Sequence, residues 1–160
     1  MFRPMVRQRK QLAKEDCIRV LCEQKRGVLS VNGDDGYPYA APINHYYNPE
    51  DGCLYFHTGK RTESHRTESL LKSDKVCYCV TEPGTPIPGD WALDVRSVVV
   101  FGRVEMVHDV DRVMHICTAM SRQFTSDQAF IQREIDRFAK GTLLLKLTPE
   151  HMCGKRLEEK

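Results

Sequence analysis

GVLSVNGDDGYPYAAPINHYYNPEDGCLYFHTG, residues 27–59, runs directly into KRTESHRTESLLKSDKVCYCV, residues 60–80. The stretch reads as three strands joined by tight turns, a short helix that opens on basic residues, and a fourth strand. Between Val28–Val31 and Tyr39–Tyr47 lie Asn32, Gly33, Asp34, Asp35 and Gly36. Asn-Gly and Asp-Gly both favour the positive φ angles of hairpin turns. The second break, Asn48–Gly52, again combines Asn, Pro, Asp and Gly, which bend the chain through fixed φ, local side-chain hydrogen bonds or a missing Cβ. Two hairpins in succession make an antiparallel meander. Pro42 lies within its middle strand and cannot donate a ladder hydrogen bond, so an edge position or a bulge is expected there.

Outward from the meander, Ala13, Cys17 and Leu21 recur at helical spacing with Ile18 and Cys22 beside them, predicting a helix over 13–24 that ends at Gly27. Downstream, Val98, Val100, Val104 and Met106 share one face of a strand over 97–107, and Gly102 in its middle marks a bulge or bend. Val110, Val113, Met114, Cys117 and Met120 have helical periodicity within 109–122. Ser126 reads as the N-cap of a further helix running to Lys140, with Gly141 as its stop, before a last strand over 142–148. Antiparallel strands outnumber helices, so the expected fold class is α+β, predominantly β: a small closed barrel with flanking helices, since closure removes exposed edges.

At 160 residues the chain fits a single domain over 1–160, large enough to bury about 70% of its unfolded surface without covalent staples. A formal charge of +2 sets no general preference for nucleic acid or membrane, so any basic site has to be local. The basic arm Arg3–Lys14 is short and lacks interleaved aromatics, which argues against nucleic-acid binding. The longest apolar runs, such as Val98–Phe101, fall far below the ~20 residues of a membrane helix, and no signal-peptide core follows the N-terminus. The seven cysteines are odd in number and form no C-x-x-C pair, and several of them, Cys17, Cys117, Cys77 and Cys79, sit in apolar patterns, as buried thiols of a cytoplasmic protein do. Cys77 and Cys79 share a strand face but lack partners at zinc-like spacing, so no metal site is expected.

The segments GYPYAAPINHYY, LYFHTG, SHRTESLLKSDKVCYCV and RSVVVFGRVE, in this order and spacing, resemble the FMN-binding split-barrel family of pyridoxamine 5'-phosphate oxidase relatives, most closely its nitroimidazole-reductase-like branch. The resemblance covers nearly the whole chain. It implies a six-stranded antiparallel split β-barrel, a homodimer, and one FMN in each of two grooves where the subunits meet. Ser64, His65 and Arg66 open the short helix after Lys60 and Arg61. Taken alone they read as a solvated basic turn; the resemblance makes His65 and Arg66 the phosphate-binding pair, with Ser64 as cap or hydroxyl donor. The chemistry agrees, because helix N-termini with nearby Arg donors suit a dianionic phosphate.

By the same resemblance Pro42, Ile43 and Asn44 line the flavin along one strand, and His57 and Thr58 border it at the end of the next. Tyr55 and His57 share one face of that strand and Leu54 and Phe56 the other. His57 is the candidate catalytic residue, since an imidazole with a pKa near 6.5 can donate a proton or hydrogen-bond an anionic reduced ring; the plainer reading is a strand-end histidine that satisfies a backbone carbonyl. Trp91, the only tryptophan, lies in the Pro- and Gly-rich stretch 82–95, which has the length of a lid or partner contact. It stacks on the flavin, covers the second subunit's groove, or packs at the dimer seam. Arg96 either balances flavin or substrate charge or starts a surface strand.

The implied activity is FMN-dependent oxidoreduction of small planar acceptors such as nitroaromatic or nitroimidazole compounds. No G-x-G-x-x-G follows a strand, so an NAD(P)H donor would bind transiently over the flavin. The alternatives are a pyridoxamine phosphate oxidase-like enzyme, for which no second basic cluster is evident, and a flavin- or haem-binding protein without turnover. Deazaflavin or haem in place of FMN stays open.

Overall fold

The computed structural model describes residues 2–59 and 64–157, without the side chain of Lys140. Eight strands and four α-helices follow in the order α1 (Lys14–Glu23), β1 (Arg26–Asn32), β2 (Pro38–Asn44), β3 (Tyr46–Asn48), β4 (Cys53–Gly59), α2 (His65–Lys72), β5 (Lys75–Thr81), β6 (Thr85–Pro86), β7 (Leu93–Val107), α3 (Val110–Arg122), α4 (Gln128–Phe138) and β8 (Thr142–Leu157). Seven strands form one antiparallel sheet in the order β2-β1-β5-β7-β8-β4-β3, while β6 pairs only with β7. The sheet curls so that β2 returns beside β4, the geometry of a split barrel.

Side-chain alternation decides what each face meets. Leu29 and Val31, Leu54 and Phe56, Val76, Tyr78 and Val80, Val98 and Val100, and Leu145 and Leu147 all turn inward and form the barrel core. Cys17, Val20 and Leu21 of α1 join that core, and so does Leu70 of α2. A second, smaller core lies outside the barrel wall. There Cys53, Tyr55 and Leu144, at outward positions of β4 and β8, meet Val113, Ile116 and Cys117 of α3 and Ile131 and Ile135 of α4.

The six expected strands become seven because the middle strand breaks at His45, whose ring turns into the core and separates β2 from β3. β2 is an edge of the sheet, which accounts for Pro42: it faces Val28 of β1 on one side and needs no donor on the other. The bulge anticipated at Gly102 is present as a register shift between Phe101 and Gly102. Gly102 also has no room for a side chain, since a Cβ there would strike the Thr148 carbonyl oxygen.

Three boundaries differ from the sequence reading. Gly27 does not end a helix; α1 stops at Glu23 on an extended Gln24, and Gly27 lies within β1. The helix placed after Ser126 is capped instead by Asp127, whose side chain accepts from the Phe130 N–H, and it ends at Phe138 before a single 3-10 turn. The last strand runs on to Leu157, because its second half pairs with the first half of β7. In the β1–β2 turn the positive φ angles fall on Asp35 (54°) and Gly36 (80°), whereas Gly33 is extended.

Candidate functional site

The end of β4, the start of α2 and the end of β2 come together where the barrel is split. Ser64 caps α2: its Oγ accepts from the Thr67 N–H at 3.2 Å and lies 2.7 Å from the Thr67 hydroxyl, which is itself buried. A serine N-cap suits the extended backbone at this position and leaves the remaining first-turn N–H groups free for an anion. His65 leans back over the β1–β2 hairpin, with its ring 4.2 Å from that of Tyr39 and its Nε2 3.5 Å from an Asp34 carboxylate oxygen. Lys72 holds the other oxygen of Asp34 at 3.0 Å, so α2 is tied to the hairpin at both ends. Lysine and hydrogen-bond donation keep the Asp34 carboxyl below its ordinary range.

Arg66 is different from its neighbours. Its Nε is buried and has no hydrogen-bond partner among the described residues. A buried guanidinium N–H left unmet costs about 1–3 kcal/mol, which a bound anion would relieve. Lys60 and Arg61, the other cations expected here, lie outside the described residues. Gly59, at the end of β4, has open space where a side chain would be. The residues present therefore fit a phosphate at the opening of α2.

Ile43 turns inward and is buried, while Pro42 is exposed and Asn44 is half-buried. Thr58 follows the barrel-facing parity of Phe56 and is half-buried. His57 takes the other face. It lines a largely apolar cavity of about 190 Å³ together with Cys117, Met120 and Phe124 of the α3 region and Ile135 and Phe138 of α4. The imidazole is open to solvent at one edge, yet the surrounding apolar groups lower its pKa by desolvation, so the ring is neutral at pH 7. A neutral ring offers one N–H donor and one lone pair to whatever enters. His57 and Thr58 thus stand at the same strand end and point to opposite faces of β4.

Trp91 is 93% exposed, and the stretch around it folds as a hairpin in which β6 pairs with Leu93 and Asp94. Arg96 is occupied by Glu82, its guanidinium 3.4 Å from both carboxylate oxygens. Among the described residues no cluster of three metal-ligating side chains occurs, and the seven cysteines are free thiols. Among the described residues no helix is long and apolar enough to cross a membrane.

The sequence reading missed two polar clusters. Tyr78 and His45 are hydrogen-bonded to each other inside the barrel. Their signal was the inward parity of a tyrosine in VCYCV, since a buried phenol requires a partner. On the outer wall the buried Tyr55 donates to Asp51 at 2.6 Å and accepts from Arg112 at 2.9 Å, while Arg112 reaches Asp51 at 2.7 Å. That trio fastens α3 to the β3–β4 turn.

The sequence pattern of the family described as pyridoxamine 5'-phosphate oxidase matches residues 13–156. The chain belongs to that family. No curated protein sequence matches it. Among solved structures, a candidate 5-nitroimidazole antibiotic resistance protein from Bacteroides thetaiotaomicron superposes with a TM-score of 0.73 at 21% identity, over 93% of this chain and 90% of that one. The FAD and heme binding protein from Mycobacterium smegmatis gives a TM-score of 0.73 at 20% identity, over 94% of this chain and 74% of its own. A FAD-binding protein from Mesorhizobium loti gives 0.64 at 20% identity, over 93% and 98%. At these identities the likeness establishes the shared split-barrel fold.

Proposed function

We propose that the chain is a flavin-dependent oxidoreductase that holds FMN at the split of the barrel and reduces small planar acceptors such as nitroaromatic compounds. The observation that carries the cofactor reading is the unpartnered, buried Nε of Arg66 beside the capped start of α2. The family and the flavin-binding neighbours support the same assignment. FMN supplies electron transfer between a nicotinamide donor and the acceptor. The chain's own residues bind, orient and keep water away. Arg66 and the free N–H groups of α2 take the phosphate, with His65 at its rim. Pro42, Ile43 and Asn44 flank the ring with main chain and small side chains, and Thr58 closes the near edge. His57, neutral and lodged among apolar side chains, receives a flat acceptor in its cavity and offers it one N–H.

A second copy of the chain completes the site in this reading. On the outer face of β1, β5, β7 and the far half of β8, registered neighbours run in two rows, and the N-terminal segment covers one end of them, with Phe2 stacked on His151 and against Phe101. One row runs Val28, Cys79, Val99, Cys153, and the other Ser30, Cys77, Phe101, His151. Neither row contains an acidic or permanently cationic side chain. Val28 and Phe101 are 38% and 36% exposed. A face uncharged along both rows suits a self-complementary dimer contact.

The test is to load the protein with FMN, reduce it anaerobically with NADH or NADPH, and follow bleaching and then recolouring on addition of a nitroaromatic. Reduction and reoxidation within the protein support the reading. FMN that binds but never exchanges electrons with any donor makes it a flavin-holding protein, and protein that ignores FMN ends the assignment.

A further inference from the structure

Most of the barrel interior is apolar, yet His45 and Tyr78 lie in it with 0% exposure each. His45 Nε2 is 2.8 Å from the Leu21 carbonyl oxygen, which can only accept, so Nε2 carries the proton. Nδ1 is then the acceptor and the Tyr78 hydroxyl, 2.7 Å away, its donor. The same hydroxyl lies 3.3 Å from the Ile43 carbonyl oxygen. The main chain of His45 is held as well: its N–H donates to Lys25 at 3.0 Å, and its carbonyl accepts from Gln123 Nε2 at 3.1 Å. Four parts of the chain (α1, the α1–β1 link, β5 and the end of α3) thus converge on one residue, which sits where β2 gives way to β3.

Gly27 makes this possible. It faces Ile43 across the β1–β2 ladder, and a Cβ there would lie 2.7 Å from both Cζ and Oη of Tyr78. The phenol passes beneath β1 only because that side chain is missing. Between the fixed Ile43 and His45 stands Asn44, half-buried and on the opposite parity, with no side-chain hydrogen bond among the described residues.

We propose that Tyr78 and His45 are positioning residues for the flavin: by anchoring the main chain at His45, directly after Asn44, while the β1–β2 ladder holds Ile43 before it, they present the Asn44 amide to the ring edge in one orientation. This rests on the flavin assignment above. Neither residue touches the cofactor, so both act through Asn44.

The experiment is a double-mutant cycle on FMN-loaded protein with Tyr78→Phe and Asn44→Ala, reading FMN affinity, the visible flavin spectrum and thermal stability. Tyr78→Phe keeps the ring and its edge contact with Phe56, 4.9 Å between centroids. The expected result is FMN binding weakened about 3- to 10-fold, the worth of one neutral hydrogen bond, with a shifted flavin band. In the Asn44→Ala background the same change should do almost nothing further to affinity or spectrum. A Tyr78→Phe variant that melts earlier but binds FMN with wild-type affinity and spectrum overturns the proposal, as does full additivity with Asn44→Ala. If Tyr78→Phe does not fold, His45→Asn, which keeps an acceptor near Nδ1 and drops the bond to Leu21, is read the same way. Failure of the wild-type protein to bind FMN removes the flavin assignment itself, and the proposal with it, which sets that outcome apart from an unaltered Tyr78→Phe.

Discussion

Replacing Arg66 by Ala should change the free and the FMN-loaded protein in opposite directions. In the free protein the Nε–H is buried and unmet, so its removal relieves a cost of about 1–3 kcal/mol, offset by the lost burial of the side-chain stem. The net expectation is a melting temperature that stays the same or rises slightly. In the loaded protein the guanidinium donates to a phosphate near two negative charges, and charged hydrogen bonds contribute about 1.5–3 kcal/mol. At about 1.4 kcal/mol per tenfold, FMN affinity should fall about 10- to 150-fold. Riboflavin, which lacks the phosphate, should bind wild type and Arg66→Ala alike. Fluorescence titration with both ligands, paired with melting curves of the free proteins, reads all of these quantities. The reasoning is refuted if the variant loses stability in the free state while FMN affinity is unchanged, because Arg66 would then be an ordinary structural arginine. An equal loss of FMN and riboflavin affinity would place the guanidinium against the ring instead of the phosphate.

Gly27→Ala should destabilise the protein by about 1–3 kcal/mol, since the new methyl meets the Tyr78 ring and the Cys79 carbonyl; an unchanged urea midpoint would show that the phenol has room to move. His45 is buried, and desolvation holds its pKa below 6.5, so the folded protein binds fewer protons than the unfolded chain once the pH falls below about 6.5. Stability should therefore decline from pH 7 toward pH 5 by up to about 1.4 kcal/mol per pH unit, and the decline should shrink in His45→Asn; a flat profile over that window would contradict a neutral buried ring. Val99→Glu places a carboxylate in the uncharged outer face and should convert a species of twice 18.5 kDa into one of 18.5 kDa in sedimentation. A variant that sediments like wild type would locate the dimer contact elsewhere.

The order of strands and helices was legible because the local signals agree: Asn, Asp, Gly and Pro at the turns, alternation in the strands, and a capping serine before α2. Where the reading slipped, the deciding contact is remote in sequence. Gly27 looked like a helix stop because a glycine after an amphipathic helix usually is one, but its reason lies in Tyr78, a residue of another strand. The split of the middle strand at His45 has the same origin. A histidine in a meander carries no local sign that its ring will turn inward to Leu21 and Tyr78. The candidate phosphate cradle could be named residue by residue, yet the unmet Nε that singles out Arg66 from His65 is a property of packing.

His57 shows how far alternation reaches. Parity correctly separates Tyr55 and His57 from Leu54 and Phe56, because a strand has only two faces. It does not say what covers each face. The outer face of β4 is covered by α3 and α4, which follow it by more than fifty residues, and the cavity around His57 is walled by residues of those helices and by Phe124. A histidine that only satisfied a backbone carbonyl would not need such a chamber, and among the described residues no hydrogen bond to its ring occurs. In the proposed reading the neutral imidazole keeps its N–H for the acceptor. Competition for that N–H distinguishes the two roles: His57→Phe should preserve the fold and FMN affinity while abolishing saturation by a nitroaromatic acceptor, whereas a purely structural histidine would show the reverse.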